Sequence, residues 1–356
     1  MRTNGTEVLE VERLDMSAPM TKQTYEESPQ HVLAAVEPDR CRVLIPYDGS
    51  TGAETAIDDL KRAGLPQKFE ALVAVTEVWL PSSPYEITRA VSARRLKLLT
   101  SGLSSFAPAM RDCEEQRVLS READDRIRSL FPSANVTTEA MQESTSVMSA
   151  VVQKAKSYGA ELIVLGAQLS PSPNITDYAG PALSVARAAN CSVRIARPSQ
   201  RNVHSPIHIV IGLDETQSME RVIEAVSERV WPVGTKVDVV VIGELGPRDP
   251  LRESQRIRTL EELVSKLRTG GSNVSIALKY GEAQELLLEH AKESADCIFI
   301  AADIKAHRQG TRRELSNVAQ SVVLGAPCSV EIVRPRTVTH EHWEMRLDLG
   351  RQGSES

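Results

Sequence analysis

The sequence contains one structural unit written twice, and this duplication limits the folds that the chain can adopt. Residues 42–48 (RVLIPYD) and 208–214 (HIVIGLD) are short apolar runs that end in an aspartate. After each aspartate, apolar residues recur at offsets of 5, 8, 9 and 12, the spacing of one buried helix face. These residues are Ala53, Ala56, Ile57 and Leu60 in the first copy, and Met219, Val222, Ile223 and Val226 in the second.

The two copies also end alike. Residues 191–198 read CSVRIARP and residues 328–335 read CSVEIVRP, so six of the eight positions are identical. Between these shared ends, strand-like apolar runs alternate with helical patterns, which is typical of a parallel sheet with crossover helices. The sequence therefore predicts an α/β fold with two repeated five-stranded, doubly wound parallel sheets. A single continuous sheet would contradict this interpretation.

The repeat also predicts the domain boundaries. The first copy extends over residues 41–198 and the second over 206–335, with a linker near 199–206. Residues 1–40 and 337–356 mix acidic groups with isolated apolar residues and lack a sustained period. We therefore predict a disordered N-terminal tail and a flexible C-terminal tail.

The first copy is 29 residues longer than the second, measured from its first aspartate to its final cysteine. Most of the surplus lies in residues 81–131, where two helix-like charged stretches are separated by a break at 101–108. Such an insertion forms either an elongated helix pair on the surface or a lid over a cleft. The sequence leaves both alternatives open.

The distribution of charge argues against several classes of partner. The chain has a net charge of -6, and the two tails account for all of it, so the body is neutral and has no basic domain that would attract nucleic acid. The longest apolar run has six residues, far short of the roughly 20 that cross a bilayer. Acidic residues stand where a signal peptide would place its apolar core, so we expect no membrane association and a cytoplasmic location.

Sequence motifs for catalysis and metal binding are lacking. The five cysteines form no C-x2-C pair, which favours buried thiols over a zinc site or a disulfide framework. The sequence contains no Walker A, G-x-G-x-x-G, G-x-S-x-G or H-E-x-x-H motif. We therefore predict no catalytic residue and no metal ligand.

The strand ends are the candidate binding positions, because ligands of doubly wound sheets bind beyond the carboxyl ends of the strands. Asp48 follows the first predicted strand and Gly166 ends the fourth, while Asp214 corresponds to Asp48 in the second copy. A carboxylate here can accept hydrogen bonds from an adenosine, and a glycine lets the backbone approach a phosphate or ribose closely. Alternatively, residues 48–51 are only a helix N-cap and Gly166 is a strand-end turn.

Several segments together resemble the universal stress protein family, here as a tandem pair. In the first copy they are IPYDGS at 45–50, AELIVLG at 160–166 and ANCSVRIAR at 189–197. In the second copy they are IHIVIGLD at 207–214, GEA at 281–283, ADCIFI at 295–300 and APCSV at 326–330. The resemblance implies Rossmann-like, adenine nucleotide alpha hydrolase-like domains that dimerise through their last strands. The family has ATP-binding and non-binding branches.

The ATP-binding branch carries G-x2-G-x9-G-[ST] after its fourth strand, and the first copy keeps only part of this motif. Gly166 matches, but Leu169 replaces the second glycine and Ala179-Gly180 replaces the final pair. Pro171 and Pro173 remove backbone donors from the same loop, which also lacks Lys and Arg. The resemblance implies a binding role for Asp48, Gly166 and Gly180, with ATP or another adenine nucleotide as the candidate cofactor and a poor site for its triphosphate.

In the second copy all three glycines of the motif are gone. Ala301 and Ile304 stand at the first two glycine positions, and Ser316-Asn317 stands at the third. Four basic side chains between 305 and 313 either recruit an anion by charge or form a solvated helix start. A glycine-lined triphosphate pocket in this copy would contradict our interpretation.

The last strand of each copy is apolar enough that an unpaired edge would invite association. We expect residues 193–197 to pair with residues 330–334, either within the chain as a pseudo-dimer or between chains as a homo-oligomer. The favoured function is a stress-response module that acts by binding and assembly, with weak or absent nucleotide binding in the first copy. The alternative is an ATP-binding stress sensor gated at Asp48 and Gly166. A slow nucleotide hydrolase ranks last.

Overall fold

A computed structural model gives the fold of the chain. It describes residues 41–75, 108–141, 146–167, 181–199, 201, 205–213, 218–243, 258, 260–262, 264–268, 272–292, 294–302 and 315–335. Both predicted tails lie outside these described residues. The structural statements below concern the described residues.

The first half of the chain alternates strands and helices. Its elements are β1 (Arg42–Tyr47), α1 (Thr51–Asp59), β2 (Glu70–Val75), α2 (Pro108–Leu130), β3 (Asn135–Ala140), α3 (Val147–Tyr158), β4 (Leu162–Gly166), α4 (Pro181–Ala188) and β5 (Ser192–Ala196). A short 3-10 helix (Leu60–Arg62) continues α1.

The second half repeats this order. Its elements are β6 (His208–Leu213), α5 (Ser218–Ser227), β7 (Lys236–Gly243), β8 (Asn273–Tyr280), α6 (Ala283–Lys292), β9 (Cys297–Ala301), α7 (Asn317–Gly325) and β10 (Ser329–Val333). Helical residues 260–262 and 264–268 lie between β7 and β8. Each half therefore contributes five strands, as the sequence predicts.

All ten strands belong to one sheet, in the order β3-β2-β1-β4-β5-β10-β9-β6-β7-β8. Neighbouring strands are parallel within each half, and β5 pairs with β10 in the antiparallel sense. The register places Val193 opposite Ile332, Arg194 opposite Glu331 and Ile195 opposite Val330. The expected pairing of the last strands is confirmed, and it occurs within the chain.

From the sequence we expected that a single continuous sheet would contradict the duplication. That expectation is wrong, because the sheet is continuous and the two repeats are still present in it. The two parallel halves remain separate doubly wound units, with strand orders 3-2-1-4-5 and 8-7-6-9-10. They share hydrogen bonds at one seam, because each last strand would otherwise leave an apolar edge unpaired. One continuous sheet is therefore the product of edge-to-edge pairing between two repeats.

The repeated helix pattern has the packing that its spacing predicts. Ala56, Ile57 and Leu60 are fully buried in the first half, and the matching residues Val222, Ile223 and Val226 are fully buried in the second. Both helices lie on the same side of the sheet, in two separate apolar clusters. The spacing therefore identified one core face in each half.

The opposite side of the sheet has a single apolar cluster that extends across both halves. At the seam it contains the alternating residues Val193, Ile195, Val330 and Ile332. Their neighbours Arg194 and Glu331 point to the other side, because successive side chains of a strand alternate between faces. Charged residues thus separate the two smaller clusters where the halves meet.

The described part of the insertion, 108–130, is one continuous helix. It begins at Pro108, a residue that suits the first turn because its missing N–H has no partner there. Leu119, Ala123 and Ile127 are buried in the cluster of the first half. This helix packs against the sheet as the connection between β2 and β3. Residues 81–107 lie outside the described residues, so the choice between a surface helix pair and a lid stays a prediction.

Within the described ranges, no helix combines the length needed to cross a membrane with a sufficiently apolar sequence.

Candidate functional site

The strand order reverses between β1 and β4, which makes this the crevice where a doubly wound sheet binds ligands. Asp48 directly follows β1, and Gly166 is the last residue of β4. The structure thus brings these two predicted residues to the carboxyl ends of neighbouring parallel strands. The other two candidates, Gly180 and Asp214, lie outside the described residues.

Asp48 shapes the turn that leads from β1 into α1. Its Oδ1 accepts a hydrogen bond from the Ser50 backbone N–H at 2.9 Å. Ser50 is the N-cap of α1, and its Oγ accepts from the Ala53 N–H at 3.1 Å. The segment therefore forms a helix N-cap with Ser50 as the capping residue, and a ligand role for Asp48 stays a prediction. Within the described part of the chain, Asp48 Oδ2 makes no hydrogen bond, so it is the oxygen that a ligand could use.

Gly166 is required by packing against the first turn of α1. A Cβ atom at this position would lie 1.9 Å from the carbonyl oxygen of Gly52 and 2.2 Å from its carbonyl carbon. The same sequence feature that suggested close approach to a phosphate thus has a structural cause. Sequence reasoning missed Gly52, although its place one turn after Asp48 was a usable signal.

The chemistry of the described crevice suits a neutral or weakly charged group better than a triphosphate. Asp48 offers a carboxylate, α1 presents its N-terminus, and residues 47–52 and 166–167 include no Lys or Arg. The helix N-terminus favours an anion, but the carboxylate beside it opposes one. The loops at 76–107, 142–145 and 168–180, with the degraded glycine motif, lie outside the described residues.

At the carboxyl ends of the strands in the second half, the serine hydroxyl at the third motif position caps a helix. Ser316, which stands at the third motif position, is the N-cap of α7, and its Oγ accepts from the Ala319 N–H at 3.2 Å. Ala301 ends β9 where the first motif glycine would stand. Ile304 and the basic residues at 305–313 lie outside the described residues.

A polar cluster that the sequence did not suggest lies near the amino ends of the strands in the second half, away from the ligand-binding end of the sheet. Asp238 Oδ2 accepts hydrogen bonds from His208 Nε2 at 2.6 Å and from His290 Nε2 at 3.1 Å. Ser275 donates to Asp238 Oδ1 at 2.6 Å, and Ser294 Oγ lies 2.8 Å from His208 Nδ1. Burial alone would raise the pKa of Asp238, but these hydrogen bonds hold it well below its ordinary value.

Asp238→Asn tests the contribution of this cluster. A carboxylate whose pKa is lower in the folded state stabilises the protein above its unfolded pKa of about 3.9, and this contribution is lost as the pH falls towards the folded value. We expect the substitution to cost about 1–3 kcal/mol at pH 7 and progressively less below about pH 4. Urea unfolding from pH 7 to pH 2.5 measures this. The matched variant Asp58→Asn, at an exposed ion pair with Arg126, should change stability little. Equal pH profiles for the wild type and Asp238→Asn would contradict the assignment.

Three of the four described cysteines, Cys191, Cys297 and Cys328, behave as packing residues. Burial raises the pKa of Cys191 to about 11 and the pKa values of Cys297 and Cys328 to about 12. These thiols therefore stay protonated near neutral pH, as expected for buried positions. Among the described side chains, no group of three or more His, Cys, Asp or Glu residues is arranged to hold a metal ion.

The architecture defines a class before any comparison: two doubly wound α/β units, each with one reversal of its strand order, joined through their last strands. No protein-family model matches the sequence. No curated protein matches it either.

Solved structures supply the match. A universal stress protein from Archaeoglobus fulgidus DSM 4304 is 14% identical, with a TM-score of 0.57, and the match covers 84% of this chain and 97% of that one. A putative universal stress protein from Pseudomonas aeruginosa UCBPP-PA14 is also 14% identical, with a TM-score of 0.53, and the match covers 83% of this chain and 93% of that one. Both matches extend over both halves. The chain has the universal stress protein fold, present twice.

Proposed function

We propose that the chain is a cytoplasmic module of the universal stress protein type, which acts in stress response by binding and assembly. The observation that supports this most is the internal pairing of β5 with β10, because it joins two ligand-binding folds into one body without a second chain. The fold likeness to universal stress proteins supports the same class. We assign no catalytic residue.

In this proposal the first half binds adenine nucleotide weakly or not at all. The space beside Gly166 is filled by the Gly52 backbone and is not open to a phosphate. Asp48 places a negative charge at the helix N-terminus, where a phosphate would approach. The second half lacks the glycines of the motif altogether. Binding energy would have to come from the adenosine end, through Asp48 Oδ2.

The alternative is a sensor gated by ATP at Asp48 and Gly166. One observation favours it: Asp48 keeps an oxygen without a hydrogen-bond partner among the described residues, and it does so at the strand-order reversal. A ribose hydroxyl could donate to that oxygen. This alternative requires affinity in the cellular range of ATP.

Calorimetry on the full chain separates the two proposals. We expect ATP, ADP, AMP and cyclic AMP to bind with Kd values weaker than roughly 0.1 mM or to give no heat, which corresponds to less than about 5.5 kcal/mol of binding free energy. Micromolar binding that is abolished by Asp48→Ala would instead support the sensor. Asp48→Asn is the matched variant, because its amide oxygen can still accept from Ser50 while the charge is gone. Asp58→Ala, on the exposed face of α1, controls for loss of an aspartate elsewhere.

A further inference from the structure

The seam between the halves has an approximate two-fold axis, and two opposite charges lie on it. Arg194 and Glu331 occupy the same position of the repeated CSV-x-I motif, and the register places them directly opposite each other. If two copies of the same last strand paired in this register, the residue at this position would lie opposite the identical residue of the other copy. The pairing observed here brings unlike charges together, whereas either like pairing would bring like charges together.

These charges are completely buried and belong to a network of four. Arg194 and Glu331 are both 0% exposed, and Asp59 is 2% exposed. Arg194 Nε donates to Asp59 Oδ2 at 2.6 Å, and Arg194 Nη1 lies 3.3 Å from Glu331 Oε2. Arg229 Nη1 donates to Glu331 Oε2 at 2.9 Å, and its Nη2 contacts the other oxygen. Arg194 thus has the counter-ion Asp59 in its own half, and Glu331 has the counter-ion Arg229 in its own half. The contact between Arg194 and Glu331 joins the halves.

Several other contacts across the seam are the same in both directions, although the bonds from Ser329 Oγ to Asp59 Oδ1, from Arg229 Nη1 to the Ala63 carbonyl oxygen and from the Val230 N–H to the Gly64 carbonyl oxygen have no counterpart among the described residues. The Arg197 backbone N–H donates to Ser329 Oγ at 3.0 Å, and the Arg334 N–H donates to Ser192 Oγ at 3.1 Å. The guanidinium groups of both arginines then donate to carbonyl groups at the ends of the helices opposite them. Two like halves could make these contacts equally well. This symmetry explains why the motif is nearly identical in the two copies, and it means that these contacts cannot select a partner.

We propose that Arg194 and Glu331 are the residues that decide which edges pair: the β5 edge accepts the β10 edge and rejects a second β5. A like pairing would place two guanidinium groups or two carboxylates together at a fully buried position, where charge pairs are strongly coupled. Close charge pairs at interfaces have measured couplings that correspond to preferences from about 10-fold to about 100,000-fold. The chain therefore closes with unlike halves together. This inference does not depend on nucleotide binding.

The first test allows the halves to exchange partners. Residues 202–204 of the full chain are replaced by a protease cleavage sequence, and the folded protein is cut, diluted, concentrated again and weighed by native mass spectrometry. We expect pairs of unlike halves, with like pairs below about 1 in 100. The neutral variant Asp59→Asn/Arg194→Met/Arg229→Met/Glu331→Gln, which removes all four charges of the network, should raise like pairs towards the statistical half of all species. Arg187→Met, at an exposed contact with Gln320 across the seam, is the matched control and should stay selective.

Abundant like pairs in the wild type, or exclusive unlike pairing in the neutral variant, would overturn the proposal. A second test uses the uncut chain, so it does not require separated halves to survive. Arg194→Met, Glu331→Gln and the double variant form a double-mutant cycle measured by denaturant unfolding. The double variant should retain a folding equilibrium constant at least about 10-fold larger than the two single losses predict. Additive losses would show that the two charges are not coupled and would overturn the proposal as well.

Discussion

Gly166→Ala should destabilise the protein by about 3 kcal/mol or more, the upper range for overpacking a filled interior. The added Cβ would lie 1.9 Å from the Gly52 carbonyl oxygen, and the obstacle is backbone that cannot turn aside as a side chain can. Relief requires α1 to move away from the end of β4. The same movement would displace Asp48 and Ser50, which form the turn into α1. Denaturant unfolding measures the loss.

Gly52→Ala is the matched control, because it adds a methyl group on the other side of the same contact. A Cβ at Gly52 would meet its nearest atoms at 3.6–3.8 Å, which is ordinary van der Waals distance. Alanine is the better helix former, so we expect no loss or a gain of up to about 1 kcal/mol. Equal stabilities for the two variants would contradict the close approach of β4 to α1.

Arg194→Met should cost about 3–5 kcal/mol, the range found when one member of a buried ion pair is removed. The substitution leaves Asp59 without the guanidinium that donates to it at 2.6 Å and weakens the neutralisation of Glu331. Both carboxylates lie in the interior, where an uncompensated charge is expensive. Urea unfolding of the full chain at pH 7 gives the loss directly.

The surrounding variants show whether this loss has an electrostatic cause. Arg187→Met removes an exposed arginine that also reaches across the seam, and it should change stability by less than about 1 kcal/mol. Asp59→Asn/Arg194→Met/Arg229→Met/Glu331→Gln removes all four charges of the network together and should recover much of the loss, because no buried charge is stranded. A quadruple variant less stable than Arg194→Met alone would mean that packing, not charge, explains the effect.

Much of the architecture was predictable because it rests on local periodicity. The repeated offsets identified the buried faces of α1 and α5, and the repeated CSV-x-I motif identified the two strands that meet. These patterns depend on residues a few positions apart, which a single sequence displays. A single continuous sheet was wrongly expected to contradict the duplication. The sequence left open whether the last strands pair within one chain or between two, because the same edges serve both arrangements.

The site was less predictable because its key contacts join residues far apart in the chain. Gly166 could be identified as special from its place after an apolar strand, but its partner Gly52 lies more than 100 residues earlier. The cluster around Asp238 joins β6, β7, β8 and α6, with no common spacing. Arg194 and Glu331 were visible as a difference within an otherwise shared motif, but their role required the register.

The pairing of β5 with β10 inside one chain can be tested with a cross-link. Val193 and Ile332 are opposite each other in the register, and paired antiparallel residues have Cα atoms about 4.5–5.5 Å apart, within reach of a disulfide. Val193→Cys/Ile332→Cys should oxidise to a species of monomer mass, 39.0 kDa for the wild-type chain, with peptide mapping that joins positions 193 and 332. Cross-links only between chains, or none in a folded protein, would contradict the internal pseudo-dimer.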